Sequence, residues 1–193
     1  MKNGQVPYSQ APHLTTDVTL YVDGTKGNDT NTGTQDAPFA TLQAAVNSLP
    51  KDIGGHIAII DIAGDIADTN NIRISGFYGG LLQINGEPNG SLCNVQISVS
   101  YCTAISVNYI TFNIDTGAGA IVTANDCEKV GFSFCTFEGS NKSIDGILCS
   151  KQTNLGISTC TFNNLKYAIN TRSSSATRGV ATVSVYNCNG TGN

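Results

Sequence analysis

Three carboxylates in the second half of the chain, Asp126, Glu128 and Asp145, are the residues best spaced for acid/base chemistry. Such work needs two carboxyl groups facing one bond, and Asp145 meets the other two only if the backbone returns on itself about every 25 residues. Solvated turn positions give the same pattern of acids, and Asp115 and Glu138 fit that reading. Oxygen donors also gather at Asp23, Asn28, Asp29 and Asn31, a set suited to calcium. The spacing is not that of an EF-hand and no distal Glu follows; Asp and Asn are equally at home in turns for backbone reasons. Tyr109, Tyr167 and Tyr186, at positions expected to face outward, offer rings for stacking on sugars. The two histidines, His13 and His56, both precede this region, and Arg73, Arg172 and Arg178 stand apart from one another.

These side chains are held by a repeat. Ile105-Ser106-Val107-Asn108-Tyr109-Ile110-Thr111-Phe112 returns as Val130-Gly131-Phe132-Ser133-Phe134-Cys135-Thr136-Phe137 and as Leu155-Gly156-Ile157-Ser158-Thr159-Cys160-Thr161-Phe162, each copy 25 residues after the last. A fourth, Val183-Ser184-Val185-Tyr186-Asn187-Cys188, follows after 28. Within each copy the apolar alternation slips by one residue at the same place. A strand puts alternate side chains on opposite faces, so the slip would turn the core outward unless the chain bends there. Corners are therefore expected at Asn108-Tyr109, Ser133-Phe134, Ser158-Thr159 and Tyr186-Asn187.

A second strand set at nearly the same interval comprises Gln96–Val99, Ala120–Thr123, Gly146–Cys149 and Tyr167–Asn170. Three short strands per coil is the arithmetic of a parallel β-helix, in which no coil closes its hydrogen bonds without a neighbour. Stacking would then make an inward ladder of Phe112, Phe137 and Phe162, a thiol ladder of Cys135, Cys160 and Cys188, and an outward ladder of Thr111, Thr136 and Thr161. An antiparallel sandwich also shows short strands between turns, but it gives no reason for a corner at one fixed offset. The cysteines number seven, and several replace apolar residues of the repeat, which predicts buried free thiols rather than bridges. No CxxC or Cys/His spacing indicates zinc.

With 193 residues, 12% charged and a net charge of −4, the chain reads as one sheet-rich domain without the basic cluster that nucleic acid or an anionic membrane would need. Residues 1–17 read as an extended arm lacking the apolar segment of a secretory signal. Residues 18–55 hold a strand at Thr19–Val22, a Gly/Asn/Asp loop and one helix, opened by Pro38 and striped by Phe39, Leu42, Ala45, Val46 and Leu49. A lone amphipathic helix ahead of a solenoid is expected to cap its end. Residues 56–193 carry the coils, starting with the strand at His56–Ile62 and an irregular stretch, and becoming regular from about Leu92. Asn189–Asn193 adds no cap, so a truncated solenoid or a covering partner is expected there. The fold class is thus all-β: a parallel β-helix with one N-terminal capping α-helix.

The run Tyr21-Val22-Asp23-Gly24, Gly27-Asn28-Asp29, Asn31, Gly33-Thr34 and Pro38-Phe39-Ala40-Thr41-Leu42-Gln43-Ala44-Ala45-Val46 resembles the lead-in motif of the pectate-lyase-like right-handed β-helix superfamily. It is most similar to the version in phage and prophage tail appendages. The resemblance implies a right-handed, single-stranded helix and a homotrimeric spike or fibre in a virion, joined to other virion proteins and adhering to a host cell-surface glycan. Lyases and hydrolases share the motif, so a carbohydrate-active enzyme is the alternative, and a bacterial surface adhesin a third. A β-helical hydrolase would be expected to show clustered Asp and a Gly-His-Gly; a lyase, calcium-binding Asp and an Arg or Lys base. Neither set is evident, and function must be argued from the site rather than from the fold.

Overall fold

The computed structural model describes residues 11–88, 90–114, 119–140, 142–150, 153–172 and 181–191. Most of the expected N-terminal arm, residues 1–10, and Asp115 lie outside these, as do Arg178 and the side chain of Arg172. What is described of the arm is tied down: the Leu14 amide donates to the Asp52 carbonyl (3.1 Å), and Asp17 accepts from the Ile57 amide (2.9 Å).

Among the described residues, seventeen strands and one helix follow in chain order. They are β1 (Val18–Asp23), α1 (Leu42–Ser48), β2 (Ile57–Ala63), β3 (Ile72–Ser75), β4 (Leu81–Asn85), β5 (Ser91–Cys93), β6 (Ile97–Ser100), β7 (Ala104–Asn108), β8 (Ile110–Ile114) and β9 (Ala120–Asn125). The chain continues as β10 (Lys129–Ser133), β11 (Thr136–Gly139), β12 (Asp145–Ser150), β13 (Asn154–Ser158), β14 (Thr161–Asn163), β15 (Ile169–Arg172), β16 (Thr182–Tyr186) and β17 (Asn189–Thr191). A seven-stranded sheet runs β1-β2-β4-β7-β10-β13-β16, and two five-stranded sheets run β17-β14-β11-β8-β5 and β15-β12-β9-β6-β3. Every pairing between these strands is parallel, which excludes the sandwich and makes the fold a parallel β-solenoid. Regular stacking begins earlier than Leu92: β1 already pairs with β2, and Leu81–Asn85 is in register with Ala104–Asn108.

The ladders expected from the repeat form. Phe112, Phe137 and Phe162 are in register and buried, with ring centroids 5.0 and 4.8 Å apart and Phe132 set edge-on to Phe112 and Phe137. The slip in alternation has a simple cause. Tyr109, Phe134, Thr159 and Asn187 adopt left-handed backbone with φ of 58°, 55°, 53° and 50°. One left-handed residue bends the strand and turns the next side chain, Ile110, Cys135, Cys160 or Cys188, toward the core. The ladder survives the bend, because the amides of Tyr109, Phe134 and Thr159 donate to Ser133, Ser158 and Tyr186 of the next coil. Tyr101 and Asp126 are left-handed in the same way at the corner before β7 and β10, and the Tyr101 amide donates to Asn125 of the next coil.

Cysteine suits the position after such a corner. All seven cysteines are free, and Cys102, Cys127, Cys135, Cys160 and Cys188 each donate the S–H to the carbonyl two residues back, at 3.2–3.4 Å. A small apolar residue with a weak donor both fills the corner and satisfies the carbonyl there.

The helix begins later than Pro38. Thr41 is its N-cap, accepting from the Ala44 amide (3.2 Å), while Phe39 bridges to Val22 in extended backbone. Proline therefore rigidifies the approach rather than the first turn. Leu42, Ala45 and Val46 are buried, and α1 packs on β1, β2 and β3.

Candidate functional site

The oxygen-rich loop serves the backbone. Asp23 Oδ1 accepts from the amides of Thr25 and Lys26, which hold its carboxyl below the usual range. Asn28 Oδ1 accepts from the amide and hydroxyl of Thr30, and Asn31 Nδ2 donates to the Pro38 carbonyl. Asp29 reaches furthest: Oδ1 accepts from the amides of Ala40 and Thr41, and Oδ2 from the Thr41 hydroxyl at 2.8 Å. Asp68 then takes the amides of Leu42 and Gln43. Asp23 and Asn28 thus close turns within the loop, while Asn31 and Asp29 clip it to the approach and start of α1, where unpaired amides need acceptors. Gly33, at φ +77°, lies beneath the Phe39 ring, where a Cβ would collide. Among the described residues no group of three or more His, Cys, Asp or Glu side chains is arranged to hold a metal ion.

The carboxylates are not gathered. Asp145 is in register with Ala120, at the start of β9, whereas Asp126 follows its end. Six residues at about 3.3 Å each separate Asp145 from Asp126 by about 20 Å along the sheet. Glu128 is exposed at the corner before β10, near Asp126 and far from Asp145. Glu138 accepts from Asn163 (2.9 Å) and Asn164 (2.7 Å) and ties successive coils together. Asp145 is the unusual one: it is 3% exposed, Oδ2 accepts from Asn170 at 2.6 Å, and Oδ1 has no hydrogen-bond partner among the described residues.

The tyrosines separate into two groups. Tyr167 precedes β15 on another sheet, but Tyr109 and Tyr186 lie along one edge of the seven-stranded sheet. Tyr109 stacks on Phe134 of the next coil, centroids 5.0 Å apart and planes within 5°. Phe134 is 53% exposed and Tyr186 75%. Left-handed backbone costs an ordinary residue about 1–2 kcal/mol, so an exposed aromatic is an expensive occupant of a corner that Asn or Gly would fill more easily.

Beside this edge, the outer face of β7, β10, β13 and β16 is hollowed into a groove of about 380 Å³. Its floor is Gly131 and Gly156, in register with each other and flanked by Ser106 and Ser184. Ser133, Ser158 and Tyr186 line the corner side, and Lys129 the opposite end. Neither glycine has positive φ, and a Cβ would meet only two carbonyls at 3.9 and 4.0 Å on Gly131 and nothing within 4 Å on Gly156. Glycine inside a strand costs about 0.5–1 kcal/mol relative to alanine. With no backbone reason for it, the pair leaves a strip of bare backbone on this face, as strand glycines do where another chain or ligand approaches closely. The opening suits a ring lying flat on backbone, with an aromatic wall and serine hydroxyls to orient it.

Sequence reasoning singled out Tyr109 and Tyr186 but missed Lys129, Gly131, Phe134 and Gly156. The signal was present: glycine occupies one register position in two consecutive copies of the repeat, between serines in the flanking copies. No protein-family model, curated protein or solved structure matches the chain.

Proposed function

We propose that this chain is a rigid adhesive segment of a phage or prophage virion appendage, and that the groove over Gly131 and Gly156 takes a glycan of the host surface. The observation that carries the reading is the pair of stacked mid-strand glycines beside an exposed aromatic edge, an arrangement that fits the flat face of a sugar ring. The appendage setting, a right-handed coil, a capping role for α1 and assembly as a homotrimer rest on the lead-in motif at Tyr21–Val46. A solenoid suits that role because each coil hydrogen-bonds to the next along its whole length.

The test is binding of purified bacterial surface polysaccharides by the intact chain, with mass in solution measured alongside. Gly156→Leu and Tyr186→Ala are expected to weaken binding at least ten-fold with little change in melting temperature. Binding unaffected by Gly156→Leu would overturn the assignment of the groove, and a monomer at working concentration would count against the trimer.

Asp145 favours one second reading, a carbohydrate-active enzyme of the pectate-lyase-like class. Its unpartnered buried oxygen is the kind of group a catalytic site keeps in reserve. Incubation with acidic polysaccharides, with and without Ca²⁺, would support that reading if unsaturated or reducing products appeared and were lost in Asp145→Ala.

A further inference from the structure

The outer face of the sheet β15-β12-β9-β6-β3 carries a polar hollow, separate from the glycine-floored groove. Arg73, Ser98 and Thr123 stand in register on three successive coils and face outward, since their strand neighbours Ile72, Ile74, Ile97, Val99, Val122 and Ala124 are buried. A space of about 150 Å³ opens over Gln96, Ser98, Gly119 and Thr123, and a wider one of about 500 Å³ over Thr69, Asn70 and Arg73. Asn71 lines both and joins them.

Two sets of hydrogen bonds hold the walls. Gln43 of α1 accepts from the Arg73 amide (2.7 Å) and donates Nε2 to the Arg73 carbonyl (3.2 Å), so the edge of β3 is pinned where the guanidinium departs. Gln96 Nε2 donates to the Ala120 carbonyl (2.8 Å), which can only accept; Gln96 Oε1 therefore turns to Asn71 and accepts from its Nδ2 (3.2 Å). That order leaves Asn71 Oδ1 as an acceptor where the two spaces meet.

The hollow is electrically one-sided. None of its lining residues is acidic, and among the described residues no carboxylate pairs with Arg73. Asp68, the acid nearest to Arg73 in sequence, is occupied at α1, where it accepts from the amides of Leu42 (2.8 Å) and Gln43 (3.0 Å). On a chain of net charge −4 this leaves a lone guanidinium among amides and hydroxyls. Its planar fork of donors matches the paired oxygens of a carboxylate or a phosphate.

We propose that this hollow binds a small hydroxylated oxyanion, a phosphate ester or a hydroxy acid, with Arg73 forked onto the charged oxygens and Asn71 Oδ1 accepting from a hydroxyl of the same ligand. Ser98 and Thr123, each able to donate or accept, line the remaining floor. The site draws on neither the groove over Gly131 and Gly156 nor the glycan assigned to it, so the two stand or fall independently.

The experiment uses three probes of one carbon skeleton, glycerol, glycerate and glycerol phosphate, titrated at constant ionic strength into the intact chain while the side-chain amide resonances of Asn71 and Gln96 are followed by nuclear magnetic resonance. At least one of the two anions is expected to shift these resonances saturably and to bind about ten-fold or more tightly than glycerol, the worth of a charge-assisted hydrogen bond. The tighter of the two identifies the oxyanion as phosphate or carboxylate. Arg73→Gln should abolish the advantage of the anion over glycerol. Arg73→Lys, which keeps the charge and loses the fork, should retain only part of it. Arg73 is exposed, so both variants should melt as the wild type does. Anions bound no more tightly than glycerol, an advantage that survives Arg73→Gln, or resonances of Asn71 and Gln96 that do not respond would each overturn the proposal.

Discussion

Replacing Phe137 by alanine tests the stacked interior most directly. The ring is fully buried, with Phe112 stacked on one side (5.0 Å, 17°) and Phe162 on the other (4.8 Å, 5°), and Phe132 meets it edge-on at 5.6 Å. Truncating a buried phenylalanine costs about 3–5 kcal/mol through lost transfer energy and the residual cavity. Each well-placed aromatic pair adds roughly 0.5–1.5 kcal/mol beyond area. Phe112→Ala and Phe162→Ala each remove one parallel stack, whereas Phe137→Ala removes two, so the middle ring should exceed its neighbours by about 1 kcal/mol. Thr136, half-buried on the outer face of the same strand, supplies the control, and Thr136→Ala should cost less than about 0.5 kcal/mol. Urea unfolding followed by far-ultraviolet circular dichroism and by tyrosine fluorescence gives the comparison, provided the two probes coincide. A loss below 1 kcal/mol for Phe137→Ala, or an equal loss for Thr136→Ala, would show that the side-chain ladder is not what holds these coils together.

Asp29→Ala removes the acceptor for the Ala40 and Thr41 amides and the Thr41 hydroxyl, and should lower stability by about 1–2 kcal/mol in the same unfolding assay. Burial pushes the Asp68 carboxyl above its ordinary value of 3.8, against the pull of the Gln43 and Leu42 amides. The folded state therefore holds this proton more tightly than the unfolded chain. The associated stability is complete below pH 3.8 and is lost as pH rises through the raised folded value. Melting curves from pH 4 upward should accordingly show the advantage of wild type over Asp68→Asn shrinking; an advantage that grows would refute the direction. Thr159 is β-branched and left-handed at a corner where the next coil has Asn187, so Thr159→Gly should stabilise the fold by roughly 0.5–1 kcal/mol, read as a raised urea midpoint. Thiol titration should find six buried cysteines slow to react in the native chain, Cys188 faster, and all seven reactive after denaturation without reductant.

The solenoid was legible because a stacked fold writes its geometry into the sequence as an interval. Phe112, Phe137 and Phe162 recur at 25 residues because each must fill the same space one coil on, and the slip in alternation at Tyr109, Phe134 and Thr159 marks a bend that the core requires. Boundaries were harder to read where no interval governs. Pro38 looked like a helix start, but Asp29 and Asp68, brought in from other segments, settle the first turn at Leu42, and only tertiary contacts reveal those acceptors. The same contacts explain why the loop acids resemble a calcium site: a helix terminus and a cation ask for the same oxygens.

For the candidate site the limit was of another kind. Pairing Asp126 with Asp145 assumed that residues near in coil number are near in space, yet register sets them at opposite ends of neighbouring strands. Function-bearing side chains were sought among acids and tyrosines, whereas the groove is defined by two positions with no side chain. A glycine in a strand looks like weakness until register shows that two coincide and that neither is forced by backbone or crowding. Their cost in strand stability, together with the strained exposed ring of Phe134 beside them, falls on the same edge of the same sheet. Local rules are broken there twice, offset only in part by the Tyr109–Phe134 stack, and in a fold otherwise consistent from strand to strand those breaks are the ground on which the proposed glycan groove stands.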